Sequence, residues 1–114
     1  MRLAGLHGDR DWFIYVECRA DCVVLYPTQR TYSLASLSGP DNPLLEAVRH
    51  MIERRQGLVQ PGDPPYRPQV RFLVRPENLR AYHLAFPALE ALPVPKSRQN
   101  LDADDDVAAI VAGP

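Results

Sequence analysis

Apolar and polar residues alternate from Trp12 to Arg19, which sends Trp12, Ile14, Val16 and Cys18 to one face of an extended chain and Phe13, Tyr15, Glu17 and Arg19 to the other. Cys22 to Tyr26 is apolar and rich in β-formers, the Ala20-Asp21 pair tolerates a turn, and Pro27 limits pairing beyond it. The two runs therefore predict a β-hairpin ending near Tyr32. Ser36 to Asn42 reads as a loop punctuated by Gly39 and Pro40. Asp41 or Asn42 then offers a helix cap, Pro43 suits a first turn where its missing N–H costs nothing, and Gly57 supplies a stop after about Gln56. Leu44, Leu45, Val48, Met51 and Ile52 form the buried stripe of this helix; Glu46, Arg49, Glu53, Arg54 and Arg55 form its solvated face.

Gln60 to Pro68 holds four prolines in nine residues, a composition that predicts a connector rather than a helix or a central strand. Val70 to Val74 reads as the strongest strand, with Val70, Phe72 and Val74 inward and Arg71, Leu73 and Arg75 outward. A second helix, roughly Asn78 to Leu92, places Leu79, Tyr82, Phe86, Leu89 and Leu92 at helical spacing, and Pro87 inside it predicts a bend or an irregular turn. Val94 to Leu101 fits an edge strand because of the two prolines at its start, Pro93 and Pro95. The resulting class is α+β: a small two-layer sandwich in the order β-β-α-β-α-(β), with two helices on one face of a three- or four-stranded sheet. Residues 1–11 read as a disordered leader, 12–101 as a single domain and 102–114 as a frayed acidic tail.

Composition adds bounds. With 114 residues, 46% hydrophobic and 24% charged, the chain can bury a core without disulfide or metal staples. The formal charge of −1 conceals an asymmetry: Asp102, Asp104, Asp105 and Asp106 lie in the tail, leaving ten acidic residues against 13 basic ones before them. That excess is too small to imply nucleic acid by itself. No run of about 18 apolar residues is present, and the N-terminus lacks the apolar centre of a signal peptide. The chain reads as cytoplasmic if complete, and as periplasmic if it is a piece of a membrane-anchored protein.

The order of elements, together with two short segments, resembles the soluble periplasmic domain of the ExbD/TolR family of transport-coupling proteins. Tyr15-Val16-Glu17-Cys18-Arg19-Ala20-Asp21 is similar to a family pattern of alternating apolar residues ending in Ala-Asp before a hairpin. Phe72 to Leu92 is similar to a strand ending in Arg-Ala-Asp that leads into an amphipathic helix: Arg75 matches the Arg, Pro76 and Glu77 replace the Ala and Asp, and Tyr82 and Leu92 fall at matching spacing. The resemblance spans roughly Trp12 to Leu101 and implies a dimerising or ligand-sensing module that binds other proteins or cell-wall material. The family's transmembrane helix with its proton-carrying Asp is not in this sequence, Pro87 interrupts the second helix, and the connector is long, so no proton-translocating role carries over to any residue here.

Candidate chemistry is sparse. Cys18 and Cys22 form a C-x-x-x-C spacing; a turn at Arg19-Ala20-Asp21 lets them face each other, whereas a turn at Ala20-Asp21 puts them out of register, and two buried thiols are the expected state. With no neighbouring Cys or His, no zinc site is expected. His50 follows Glu46 by four residues as an ordinary surface pair, and His83, near Tyr82 and Glu90 in sequence, has no nucleophile beside it. Asp102 to Asp106 begins like a calcium loop but lacks its glycine and its closing Glu. No catalytic residue, cofactor or metal is expected. The candidate partner-binding residues are Arg19, Arg71, Arg75 and Tyr15, a sheet face where guanidinium forks flank an aromatic ring. The expected function is a non-catalytic protein-interaction module, homodimeric or bound to a protein partner; the alternative is a nucleic-acid or regulatory binding module using the same Arg/Tyr face.

Overall fold

The alternation that begins at Trp12 is carried out by β1 (Arg10–Cys18), which buries Ile14, Val16 and Cys18 on one side. The computed structural model describes residues 10–113. Most of the expected leader lies outside the described residues, whereas Arg10 and Asp11 already belong to β1. β2 (Cys22–Tyr26) pairs antiparallel with β1 in a register that sets Cys18 opposite Val23. The connecting turn is thus Ala20-Asp21, so Cys18 faces the core and Cys22 the opposite face; both thiols are free. The expected two-strand hairpin is in fact a three-strand meander. The chain turns through a cis Tyr26-Pro27 bond and Gln29, whose φ of 63° lies in the left-handed region, and returns as β3 (Arg30–Ser33).

The capped helix appears as expected: α1 (Pro43–Gln56) starts on Asn42, whose side chain accepts from the Leu45 N–H at 2.8 Å, and stops at Gly57. Its far end is tied to the next strand, because the Gln56 amide exchanges hydrogen bonds with both main-chain groups of Tyr66 and the Arg55 guanidinium lies 4.2 Å from the Trp12 ring centre. Here the proline-rich segment departs from expectation. β4 (Tyr66–Val74) includes Tyr66, Arg67 and Pro68, so only residues 57–65 connect. Pro68 is tolerated for a geometric reason: the Val70 N–H points toward the last strand and bonds Pro95, and Pro68, two residues earlier, points its nitrogen the same way, before the pairing with that strand begins.

α2 (Leu79–Ala88) and β5 (Lys96–Asn100) complete a five-stranded sheet in the order β3-β2-β1-β4-β5, two strands more than the lower expectation and one more than the upper. The β1–β4 and β4–β5 pairs are parallel. Both crossovers step in the same direction across the sheet, and right-handed connections then place both helices on one face. Leu44, Leu45 and Val48 of α1 and Ala81, Ala85 and Ala88 of α2 meet Ile14, Val16, Val23, Leu25, Val70 and Phe72 there. The buried stripe of α2 is rotated from the expected one. Its alanines lie innermost, Tyr82 and Phe86 flank them with rings 5.5 and 5.8 Å from Phe72, and Leu79 is 40% exposed. Pro87 has no N–H for the His83 carbonyl, and after it the chain tightens to three-residue bonds, Leu89 to Phe86 and Glu90 to Pro87, so the helix ends at Ala88 and Leu89 and Leu92 reach the core from irregular turns.

The second face of the sheet is also covered, contrary to the expectation of an outward Leu73 and a frayed tail. Leu73, Val24, Glu17 and Leu101 are all buried on that side. After Leu101 the chain makes a turn at Asp102–Asp105 and a short helix, α3 (Val107–Ala112), capped by the Asp106 carboxylate. Val111 of α3 shares a cleft with Phe13, Tyr15, Tyr26 and Pro27. No helix among the described residues is long and apolar enough to cross a membrane.

Candidate functional site

Strand alternation places Tyr15, Arg19, Arg71 and Arg75 on the same face, as expected. Tyr15 is directly across from Arg71, and Arg19 and Arg75 each follow the last β1–β4 pair, Cys18 and Val74. Each guanidinium, however, has a partner inside the fold. Arg19 donates to the Glu17 carboxylate at 3.1 Å, and that buried carboxylate also accepts from the Tyr26 hydroxyl at 2.8 Å. Burial and this bond raise the Tyr26 hydroxyl above its ordinary range. Arg71 donates to the Ser97 hydroxyl at 3.1 Å and lies 4.3 Å from the Phe13 ring centre. Arg75 donates to the carbonyls of Asp102 and Asp105, which makes it the clasp of the C-terminal turn. Tyr15 is half-buried beside Phe13 and α3. The Arg19–Glu17 pair lies along one strand, and Arg75 reaches the carbonyls of the C-terminal turn.

A further recess lies elsewhere, between α1 and the β2–β3 hairpin. It encloses about 420 Å³. Arg30 and Tyr32 line it from the helix-facing side of β3, His50 and Arg54 from one flank of α1, and Leu25 and Met51 give it an apolar lining. Among the described residues, the Arg30, His50 and Arg54 side chains have no hydrogen bond, ion pair or ring contact, and no acidic residue lines the recess. The Tyr32 hydroxyl is enclosed without a hydrogen-bond partner. Glu46, expected beside His50, pairs instead with Arg49 at 3.1 Å. On sequence, Arg54 falls on a solvated face, Tyr32 marks only the end of a hairpin, and Arg30 is not singled out. The available signals were local ones: spacing of two in a strand for Arg30 and Tyr32, spacing of four in a helix for His50 and Arg54.

The remaining candidates resolve into structural roles. His83 is exposed, its ring 5.5 Å from that of Tyr82, and it borders a shallow recess with Leu34, Pro40 and Pro87. The Asp105 carboxylate accepts from the Asp102 N–H at 2.7 Å and that of Asp106 from the Ala108 N–H, so these acids shape a turn and cap a helix. No group of three or more His, Cys, Asp or Glu that could hold a metal ion occurs among the described residues. Burial, reinforced by the Glu17 charge, pushes the Cys18 thiol up to about 12. Comparison with protein families, with curated proteins and with solved structures finds no match to this chain.

Proposed function

We propose that this chain is a non-catalytic protein-interaction module that pairs with a second copy of itself through the outer edge of β3. The observation that carries the reading is the position of β3 at the rim of the sheet. The Leu34 N–H donates back to Asp21, so alternation along β3 turns the main chain of Thr31 and Ser33 outward, away from β2. An exposed edge of this kind is a template for strand addition. Its sequence suits a two-fold partner: antiparallel pairing centred on Tyr32 sets Thr31 opposite Ser33 of the second copy, twice over. The opposite rim is less inviting, since Lys96 and Arg98 on β5 fold back over the chain, Lys96 onto the carbonyls of Leu92 and Val94 and Arg98 over the Tyr82 ring. The sequence resemblance to the ExbD/TolR soluble domain points to the same kind of role. The nucleic-acid alternative relies on Arg19, Arg71 and Arg75, which are engaged within the fold.

Sedimentation velocity over a wide concentration range tests this. Wild type is expected to dimerise, and Thr31→Pro, which removes only an outward N–H, is expected to stay folded by circular dichroism yet sediment as a monomer. A wild-type chain that remains monomeric at millimolar concentration, or a Thr31→Pro dimer as tight as wild type, overturns the reading.

A further inference from the structure

We infer that the recess between α1 and β3 is a binding site for a small amphipathic anion, a molecule with a carboxylate or phosphate head and an apolar body. Among the described residues the arginines divide sharply by employment. Arg19, Arg49 and Arg67 pair with carboxylates, Arg75 holds main-chain carbonyls, and Arg55, Arg71 and Arg98 lie over aromatic rings. Arg30, Arg54 and Arg80 do none of these, and of the three Arg30 and Arg54 come from separate elements and line the same recess.

Two guanidinium groups without a nearby carboxylate raise the local potential and present planar forks that match the oxygens of a carboxylate or phosphate. His50 stands on the Arg54 side of the same wall and adds a ring nitrogen in reach of an anion. The lining between them is apolar, with Leu25, Ala47 and Met51, and the volume of about 420 Å³ suits a small organic molecule better than a bare ion. A second recess, which shares Thr28, Met51 and Arg54 with the first, is lined by Trp12 and by Leu58, the latter 74% exposed, and sets further apolar surface beside the site. The walls are well fixed. α1 is capped at one end by Asn42 and tied at the other through Gln56 and Arg55, and β3 is held by four paired residues of β2. The inference goes beyond strand addition and is independent of it, because the ligand meets helix-facing side chains of β3 whereas a second copy meets the main chain of its rim.

The test is a titration of isotopically labelled protein, followed by amide chemical shifts, with phenyl phosphate, benzoate, inorganic phosphate and benzyl alcohol. Phenyl phosphate or benzoate is expected to shift the amides of Arg30, Tyr32, His50 and Arg54 in a saturable way and to weaken as salt is raised. The stronger of the two identifies the head group, inorganic phosphate is expected to bind more weakly than phenyl phosphate, and benzyl alcohol is expected to leave these amides unmoved. Arg30→Gln and Arg54→Gln are exposed substitutions that leave the core intact, and each is expected to weaken binding at least tenfold. Absence of saturable shifts with both aromatic anions, equal binding of benzyl alcohol, or unchanged affinity in the double variant overturns the inference. Phenyl phosphate binding to Thr31→Pro at wild-type strength separates this site from the self-association proposed above.

Discussion

Cys18 and Cys22 stand four residues apart in sequence and on opposite sides of a sheet, and their chemistry diverges accordingly. Cys18 is 1% exposed, and its thiol is shifted from an ordinary 9.0 to about 12, by burial first and the Glu17 charge second. A folded thiol that holds its proton where the unfolded chain has lost it stabilises nothing below pH 9; above that, the unfolded state binds fewer protons and stability falls as pH rises. The slope from this one group is at most about 1.4 kcal/mol per pH unit. Denaturant titrations between pH 9 and 10, below the ordinary value of 10.0 for Tyr26, are expected to show that slope in wild type and a flatter one in Cys18→Ala. Cys22, also raised by burial, and Lys96, lowered by burial, contribute equally to both proteins. At pH 8 a disulfide reagent is expected to modify one thiol promptly, Cys22, and the second only on unfolding. The sequence left the pairing of these cysteines open because their relation depends on whether the turn holds two residues or three, and a one-residue change in register reverses every side chain beyond it.

Among the elements, α1 and α2 show what local pattern can and cannot convey. The bounds of α1 were legible in Asn42, Pro43 and Gly57 because capping is chemistry between residues a few positions apart. The facing of α2 was not, since its stripe of large residues is flanked by Ala81, Ala85 and Ala88, and only the approach of the sheet decides which side lies inward. Asn42 joins the two helices. Besides capping α1, its amide donates to Gly39 and to the carbonyl of Ala88 at the end of α2, at 3.1 and 3.0 Å, and the residue is 3% exposed. Asn42→Ala therefore strands a donor and two acceptors and is expected to cost about 2 kcal/mol or more in urea denaturation. Asn42→Asp, an equally good cap, is expected to destabilise as well, because it turns a carboxylate toward two carbonyls; a fully stable Asp variant would show that capping alone matters at this position.

At the scale of the whole molecule, one main expectation needed correction: the sheet has two covered faces. The α+β class and both helices followed from periodicity, yet the segment Asp102 to Gly113 looked like a loose end because it is short and begins with a run of acids. What gives it structure is a long-range partner, Arg75, which no local pattern announces. Arg75→Ala is expected to raise hydrogen exchange across residues 102–112 and at Leu73 while β1, β2 and α1 keep wild-type protection. Unchanged exchange in the tail would mean that α3 holds its place without the clasp. The candidate face was legible to the extent that Tyr15, Arg19, Arg71 and Arg75 share one side; the recess was not, because it forms where a rim strand and a helix meet after a loop of nine residues.

Pro68 gives the molecule a property that belongs to populations of chains rather than to one. On the outer side of β4 the pairing with β5 begins at Val70, two residues after Pro68. A foreign strand that continued this ladder past Val70 would seed a growing fibre. Pro68 has no N–H to offer such a ladder, so Pro68→Ala is expected to make the chain more prone to aggregate, a change that light scattering would read.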